Sequence, residues 1–447
     1  MNYANSVAYL KEHGIHAIPH GWYQSRVKYL GVYINGYPFK PDDWGTLGRP
    51  ILRIQNLSSN DTEANRYNGE LPSRYLIKDG DILISWSASL GVYTWLGEES
   101  WLNQHIFKVE PNQTKVSREF FPWLAEWFIS EMDREVHGST MQHLTANAFG
   151  GFPVLLPPLS DQKIIAVFLE RETAQLDELI ASKEQLLELL AEKRRALIAR
   201  AVTRGLDPEV SLRDSGIPWL GKIPIHWSVI RLRWIITNLE QGWSPQADDR
   251  KPEESEWGVV KLNSVNQGVF DATKVKTLPS EFDIPYNLEL HTNDFLLTRS
   301  NTPELVGDVC VITDSLSRLI FSDLIYRLTL QEASIDKLFL NYFLLSFVGR
   351  LQIEADAKGT SNSMVKIAQE DIKDWQIIVP PLPEQRAIVV HIQHETAKLD
   401  ALKQAAERAI GLLKERRAAL ITAAVTGKIK TQDQVAINWQ KSNEGEY

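Results

Sequence analysis

The residue types that could carry chemistry are scattered along this chain rather than assembled. Asp-x-Lys occurs at Asp161 to Lys163, Asp356 to Lys358 and Asp371 to Lys373, and three unrelated positions argue against a nuclease centre built on that pattern. His13, His16 and His20 have spacings that could ligate a metal from a helix, but Gly14 and Pro19 break such a helix and favour a lead-in loop. The carboxylate pairs Asp42-Asp43 and Asp248-Asp249 stand in proline-containing stretches and read as turn formers. There is no glycine-rich phosphate loop, no cysteine-pair metal spacing and no Asn-Pro-Pro-type turn. The chain is therefore expected to hold no catalytic residue, metal or cofactor of its own and not to be an enzyme.

What the polar loops do offer is the chemistry of base recognition. Arg and Lys suit guanine, Asn and Gln suit adenine, and Ser and Thr adapt to either. Three loop sets carry these types, each in two versions. Arg53, Gln55 and Asn56 answer Lys261, Asn263 and Ser264. Ser85, Trp86 and Ser87 answer Arg299, Ser300 and Asn301. Ser139, Gln142 and His143 answer Ser361, Asn362, Ser363 and Lys366. All are candidate DNA contacts. Trp22, Trp219, Trp227 and Trp375 have apolar neighbours and are expected in cores rather than as stacking platforms.

The loops come in pairs because the chain is a tandem duplication. Pro157 to Thr203 overlies Pro380 to Thr426 without a gap at a shift of 223, with 23 of 47 positions identical, too many for anything but a repeat. Before each copy lies a strand-rich segment, opening at Ile18-Pro19-His20-Gly21-Trp22 and at Ile223-Pro224-Ile225-His226-Trp227 and closing on Pro-Pro. After Pro-Pro each chain runs on without Gly or Pro in the first copy, with Ser160 at the expected N-cap and Pro383 in the first turn of the second.

Apolar residues in these runs recur every seven positions, the signal of a coiled coil. The predicted seam is Ile165, Leu169, Leu176, Leu179, Leu186, Leu190 and Leu197 in the first helix and Ile388, Ile392, Leu399, Leu402, Leu413 and Leu420 in the second. Each helix would be roughly 60 Å long, and the two are expected to pair antiparallel. The domain plan is then residues 1–157 as the first globular recognition domain, 205–380 as a turn-rich linker and the second recognition domain, 158–204 and 381–427 as spacer helices, and 428–447 as a polar tail. The fold class is α+β: two globular α/β domains separated by two long helices, with an internal pseudo-two-fold repeat.

A length of 447 residues suits such a multi-part chain. One cysteine excludes an internal disulfide framework, and no long apolar run or signal pattern appears, so a cytoplasmic protein without membrane contact is expected. Net charge is −9, so DNA binding must rest on local patches or on partners that supply the phosphate contacts.

The motif order resembles the specificity subunits of type I restriction-modification systems. Carrying the resemblance are Pro-Pro-Leu-x-(Asp/Glu)-Gln opening both helices, Ala-Val-Thr closing them, and Asp214-Ser215-Gly216-Ile217-Pro218-Trp219-Leu220-Gly221 before Ile223-Pro224-x-x-Trp227. The N-terminus keeps only Ile-Pro-x-x-Trp of that lead-in. The resemblance implies two target recognition domains reading a bipartite, asymmetric double-stranded DNA target. It also implies two modification (methyltransferase) subunits that bind S-adenosylmethionine and methylate adenine N6, and optionally two restriction subunits using ATP and Mg. A coiled-coil scaffold or a stand-alone DNA-modifying enzyme is the competing reading.

Overall fold

The computed structural model describes residues 17–58, 63–87, 90–137, 146–314, 316–358 and 364–429. The chain separates into two compact units, one made of residues 1–184 and 408–447 and the other of 185–407. The division cuts through both long helices, so each unit owns one globular domain, half of the helix that follows it and half of the other helix. The five-segment plan read from the sequence has its boundaries at the Pro-Pro turns instead.

In the first unit a four-stranded antiparallel sheet has the order Gly31–Asn35, Ile106–Pro111, Ile82–Ser85, Gly91–Thr94. A second, mixed sheet has the order Arg66–Tyr67, Arg49–Leu52, Ser100–Leu102, Leu76–Ile77, with the middle pair parallel. The second unit repeats the plan. Its antiparallel sheet runs Ile236–Gln241, Ile325–Leu330, Phe295–Thr298, Val309–Val311, and its mixed sheet runs Val275–Thr277, Gly258–Val260, Leu319–Phe321 with the last two parallel. In both, the strand after the Ile-Pro-x-x-Trp motif pairs antiparallel with the strand before Pro-Pro, Tyr23–Arg26 with Pro153–Leu156 and Ser228–Arg231 with Gln376–Val379. Entry and exit of each domain are thus tied at the foot of a long helix.

The helix opening repeats for a physical reason. Gln162 is fully buried; its Oε1 accepts from the Ser117 N–H at 2.7 Å, and its Nε2 donates to the carbonyls of Lys115 and Pro157, both at 2.9 Å. Gln385 repeats the arrangement with the Asp336 N–H at 2.8 Å and the carbonyls of Ser334 and Pro380 at 3.1 and 2.8 Å. The tryptophan of the Ile-Pro motif has an equally local role. Trp227 lies against Gly205, at φ +75° just past the first long helix, and Trp22 against Gly427, at φ +72° past the second. Each glycine supplies the left-handed turn that ends a helix, and each indole occupies space that a side chain there would need. Trp227 and Trp375 are core residues and Trp22 and Trp219 are half-buried, as their neighbours suggest.

The long helices span Leu159–Arg204 and Leu382–Val425. The first starts one residue before the predicted N-cap: Pro158 O accepts from the N–H groups of Asp161 and Gln162, leaving Ser160 inside the first turn. Pairing is antiparallel, as the first unit shows directly, where partner numbers fall as helix numbers rise. Asp177 meets Arg417 at 2.9 Å and Glu184 meets Lys414 at 3.2 Å in the first unit, and Arg194 meets Asp400 at 2.6 Å in the second. Asp177/Asp400 and Arg194/Arg417 are repeat equivalents, so each copy's aspartate is taken by the other copy's arginine.

The predicted seam is half corrected. Leu169, Leu176, Leu190, Ile392 and Leu399 are buried, and Leu197, Leu413 and Leu420 are half-buried, as expected. Leu179, Leu186 and Leu402 are exposed, at 49%, 36% and 55%. The companion row falls one residue later, at Ala166, Thr173, Ile180, Leu187, Arg194 and Ala201, and at Val389, Thr396, Ile410, Arg417 and Ala424 in the second helix. Rows three and four residues from the leucine ladder both border it. Arg194 and Arg417, paired with aspartates of the other helix, lie in this later row and show which of the two faces the partner helix. Ile165 and Ile388 are buried in the domain cores.

The helical stretch from Lys337 divides at Ser346 into Lys337–Leu345 and Phe347–Asp356. Ser346 ends the first segment and caps the second, its Oγ accepting from the Gly349 N–H.

Candidate nucleic-acid interface

In the second unit the mixed sheet and the loops around it enclose an open cleft of about 580 Å³. Val260, Val265, Leu305 and Leu324 are among its apolar lining residues, and Lys261, Asn263, Asn266, Lys276, Asn301, Ser244 and Ser322 are its polar ones. Lys261, Asn263 and Asn301 were expected from the sequence, and the fold brings them together from segments 40 residues apart. Ser244, Asn266 and Lys276 were missed, because nothing in their local sequence distinguishes them from ordinary turn and edge-strand residues.

The lining is rigidly mounted. Lys261 is the last residue before a short 3-10 turn, and its N–H donates to Lys274 O at 2.8 Å. Its Nζ lies 2.5 Å from Asp249 Oδ1, and that bond holds the Asp249 carboxyl below the usual carboxylate range. Asn266 opens a tight hairpin whose next residues, Gln267 and Gly268, have φ of 48° and 86°. A buried carboxylate fixes that hairpin: Asp308 accepts from the N–H of Gln267 at 2.5 Å and of Val309 at 3.0 Å. Burial pushes the Asp308 carboxyl up, against the opposing pull of these donors. Replacing Asp308 by Ala strands both donors, at a cost of about 2–4 kcal/mol, and is expected to lower the melting temperature of the chain by several degrees in a thermal scan. An unchanged melting temperature would refute this role.

Several candidates turn inward and are corrected. Ser264 and Ser300 are fully buried, with Oγ donating to Lys274 O at 2.7 Å and Val365 O at 3.0 Å. Ser85 and Ser87 are buried as well, Ser85 with its Oγ 3.5 Å from Gly91 O. A serine hydroxyl satisfies a nearby carbonyl as readily as a base edge, so its type alone does not say which way it faces. Arg299 lies half-buried over Tyr326, 5.9 Å from the ring centroid. Lys366 is exposed on the strand that pairs with Ser300–Asn301.

In the first unit Arg53 is half-buried with its guanidinium 4.8 Å from the Trp44 ring centroid, and Asn56 Oδ1 accepts from the Arg53 N–H at 3.1 Å. Gln55 is exposed beside them. Trp86 is packed rather than free: it stacks on Phe107 at 5.7 Å and lies against His105 at 5.5 Å, and its Nε1 donates to Asn35 Oδ1 at 3.3 Å. Ser139, Gln142, His143, Ser361, Asn362 and Ser363 lie outside the described residues, as do His13 and His16. Asp43 accepts from the Lys40 N–H at 2.7 Å, the turn role expected of it. Among the described residues no group of His, Cys, Asp or Glu could hold a metal ion, and no helix is long and apolar enough to cross a membrane.

Comparison with known proteins agrees with the duplicated architecture. The family description "Type I restriction modification DNA specificity domain" matches twice, over residues 19–189 and 227–409. The type I restriction enzyme EcoBI specificity subunit of Escherichia coli is 24% identical over 433 residues, covering 94% of this chain and 88% of that protein. The MjaVIII specificity subunit of Methanocaldococcus jannaschii is 23% identical, covering 94% and 96%. A solved chain from work on complex assembly and conformational transition of the type I R-M system superposes with a TM-score of 0.66 at 16% identity, covering 93% of this chain and all of that one.

Proposed function

The chain belongs to the type I restriction-modification DNA specificity family, and we propose that, as the sequence-specific DNA-recognition subunit of such a complex, it reads a bipartite target with one domain per half-site. The observation that carries this is one fold used twice with different chemistry at the equivalent place. Arg53 over Trp44 in the first unit stands where Lys261 bound to Asp249 stands in the second. Two different polar surfaces on two domains of one fold suit two different half-sites.

The helices support a further part of the proposal, two copies of one modification subunit. Val167 and Val390, Leu179 and Leu402, and Leu189 and Leu412 are repeat equivalents, and all six are exposed by 49–66%. Apolar residues exposed at the same places in both copies suit a surface that two identical partners cover. The chain itself supplies no catalytic group in this reading. S-adenosylmethionine belongs to the modification subunits, and ATP and Mg belong to restriction subunits where the complex includes them. The partners also provide much of the phosphate clamp that a chain of net charge −9 lacks. Such a complex acts on DNA in the cytoplasm.

The test is to map N6-methyladenine in a host that makes this chain with its modification subunit. A two-part, asymmetric methylated motif is expected, and exchanging residues 20–155 for those of another specificity subunit is expected to change one part only. Absence of any bipartite motif while the partner is active would overturn the proposal. S-adenosylmethionine binding by the purified chain alone would favour a stand-alone enzyme.

A further inference from the structure

Lys261 stands at the cleft with one of its three N–H donors given to Asp249. The pair is at the surface, with side-chain exposures of 34% for Lys261 and 72% for Asp249. Lys276 is the other cation that acts on that carboxylate. A lone lysine at the mouth of a DNA-facing cleft binds whichever phosphate comes near, without regard to sequence. Asp249 weakens that option at Lys261, while Lys276 still brings a positive charge to the same cleft. The pair carries no net charge, its carboxylate repels an approaching phosphate oxygen, and two N–H donors remain. Those two suit a pair of neutral acceptors, which is what guanine offers in the major groove through N7 and O6.

The first unit reaches the same end by other means. Trp44 also lies in the segment ahead of the mixed sheet, and its indole lies under the Arg53 guanidinium. Stacking occupies the face of a guanidinium and leaves its in-plane donors available. In both units the loop ahead of the mixed sheet therefore holds the reading cation through a contact that spares donors for a base.

Resting on the DNA-reading function above, we infer that Asp249 is a positioning residue that turns Lys261 from a phosphate-binding cation into a guanine reader, so that the second half-site contains a guanine facing Lys261.

The experiment uses the full chain assembled with its modification subunits and two duplexes of equal length, one with the target found by methylation mapping and one scrambled. Affinity is measured between about 50 and 200 mM salt. Asp249→Asn is expected to tighten binding to the scrambled duplex by about 3- to 10-fold and to steepen its log K against log salt slope by about one. Asp249→Glu, which keeps the charge, is expected to restore both. The double variant Lys261→Met with Asp249→Asn, which keeps the net charge of the pair at zero, is expected to leave scrambled-duplex affinity within about twofold and to lose about 10-fold of discrimination at one guanine. Unchanged scrambled-duplex affinity and slope in Asp249→Asn, or unchanged discrimination or equal loss on both duplexes in the charge-neutral double variant, would overturn the inference. A parent complex that fails to separate the two duplexes would instead overturn the DNA-reading proposal. Asp249 is too exposed for its replacement to unfold the domain.

Discussion

Replacing Leu179 and Leu402 together by Asp is expected to abolish recovery of the modification subunits with this chain while leaving the chain folded. Each leucine is about half exposed in the chain alone, so substitution removes little from its own core. Covered by a partner, each would contribute about 1.5–3 kcal/mol of apolar burial, and an aspartate at the same place would bring an unpaired charge into the contact. The two effects together exceed about 4 kcal/mol per site, or roughly a thousandfold in Kd. Size-exclusion chromatography of the co-expressed proteins, with circular dichroism of the variant, checks both halves of the expectation. The single variants are the informative control, since each should lose one partner and retain the other. A double variant that still forms the full complex would show that the partners dock elsewhere.

Gln385→Ala is expected to be among the most destabilising single polar substitutions at the helix openings. It leaves the Asp336 N–H and the carbonyls of Ser334 and Pro380 without their partners in a fully buried place. Each stranded group costs about 1–3 kcal/mol, and the joint between domain and helix is expected to lose about 3–5 kcal/mol in all. Gln162→Ala makes the same change in the first unit. A denaturant titration should show an early transition confined to the altered unit.

Gln385→Glu sharpens the test through its pH dependence. An ionised glutamate can still accept from Asp336 but faces two carbonyls with no hydrogen to give. The folded state therefore raises its pKa above the unfolded value of about 4.3. Stability should be highest below that value and should fall as pH rises through the raised folded pKa. A Gln385→Glu variant equally stable at pH 5 and pH 8 would rule out the three-bond account.

Sequence by itself determined a great deal about this protein. A gap-free repeat at a shift of 223 requires two like units, and the heptad period requires long helices with an apolar side to cover. The recurrence of Pro-Pro-Leu-x-x-Gln and Ile-Pro-x-x-Trp marked the domain joints before their bonding was visible, because a buried glutamine and an indole over a glycine tolerate few replacements. These features are local or periodic, and a linear string carries them well.

Only the tertiary structure decided which flank of the leucine ladder is the seam. Leu179 and Ile180 are both apolar and adjacent, and the partner helix alone chooses Ile180 and leaves Leu179 exposed. Tertiary structure also decided the direction of the loop residues. Ser264 and Asn263 are neighbours of similar polarity, but the first is spent on a backbone carbonyl and the second faces the cleft. The pairing of Lys261 with Asp249, 12 positions apart across a turn, left no periodic trace at all. Side-chain direction in a loop is set by what the rest of the fold places nearby, and residue type alone cannot supply it.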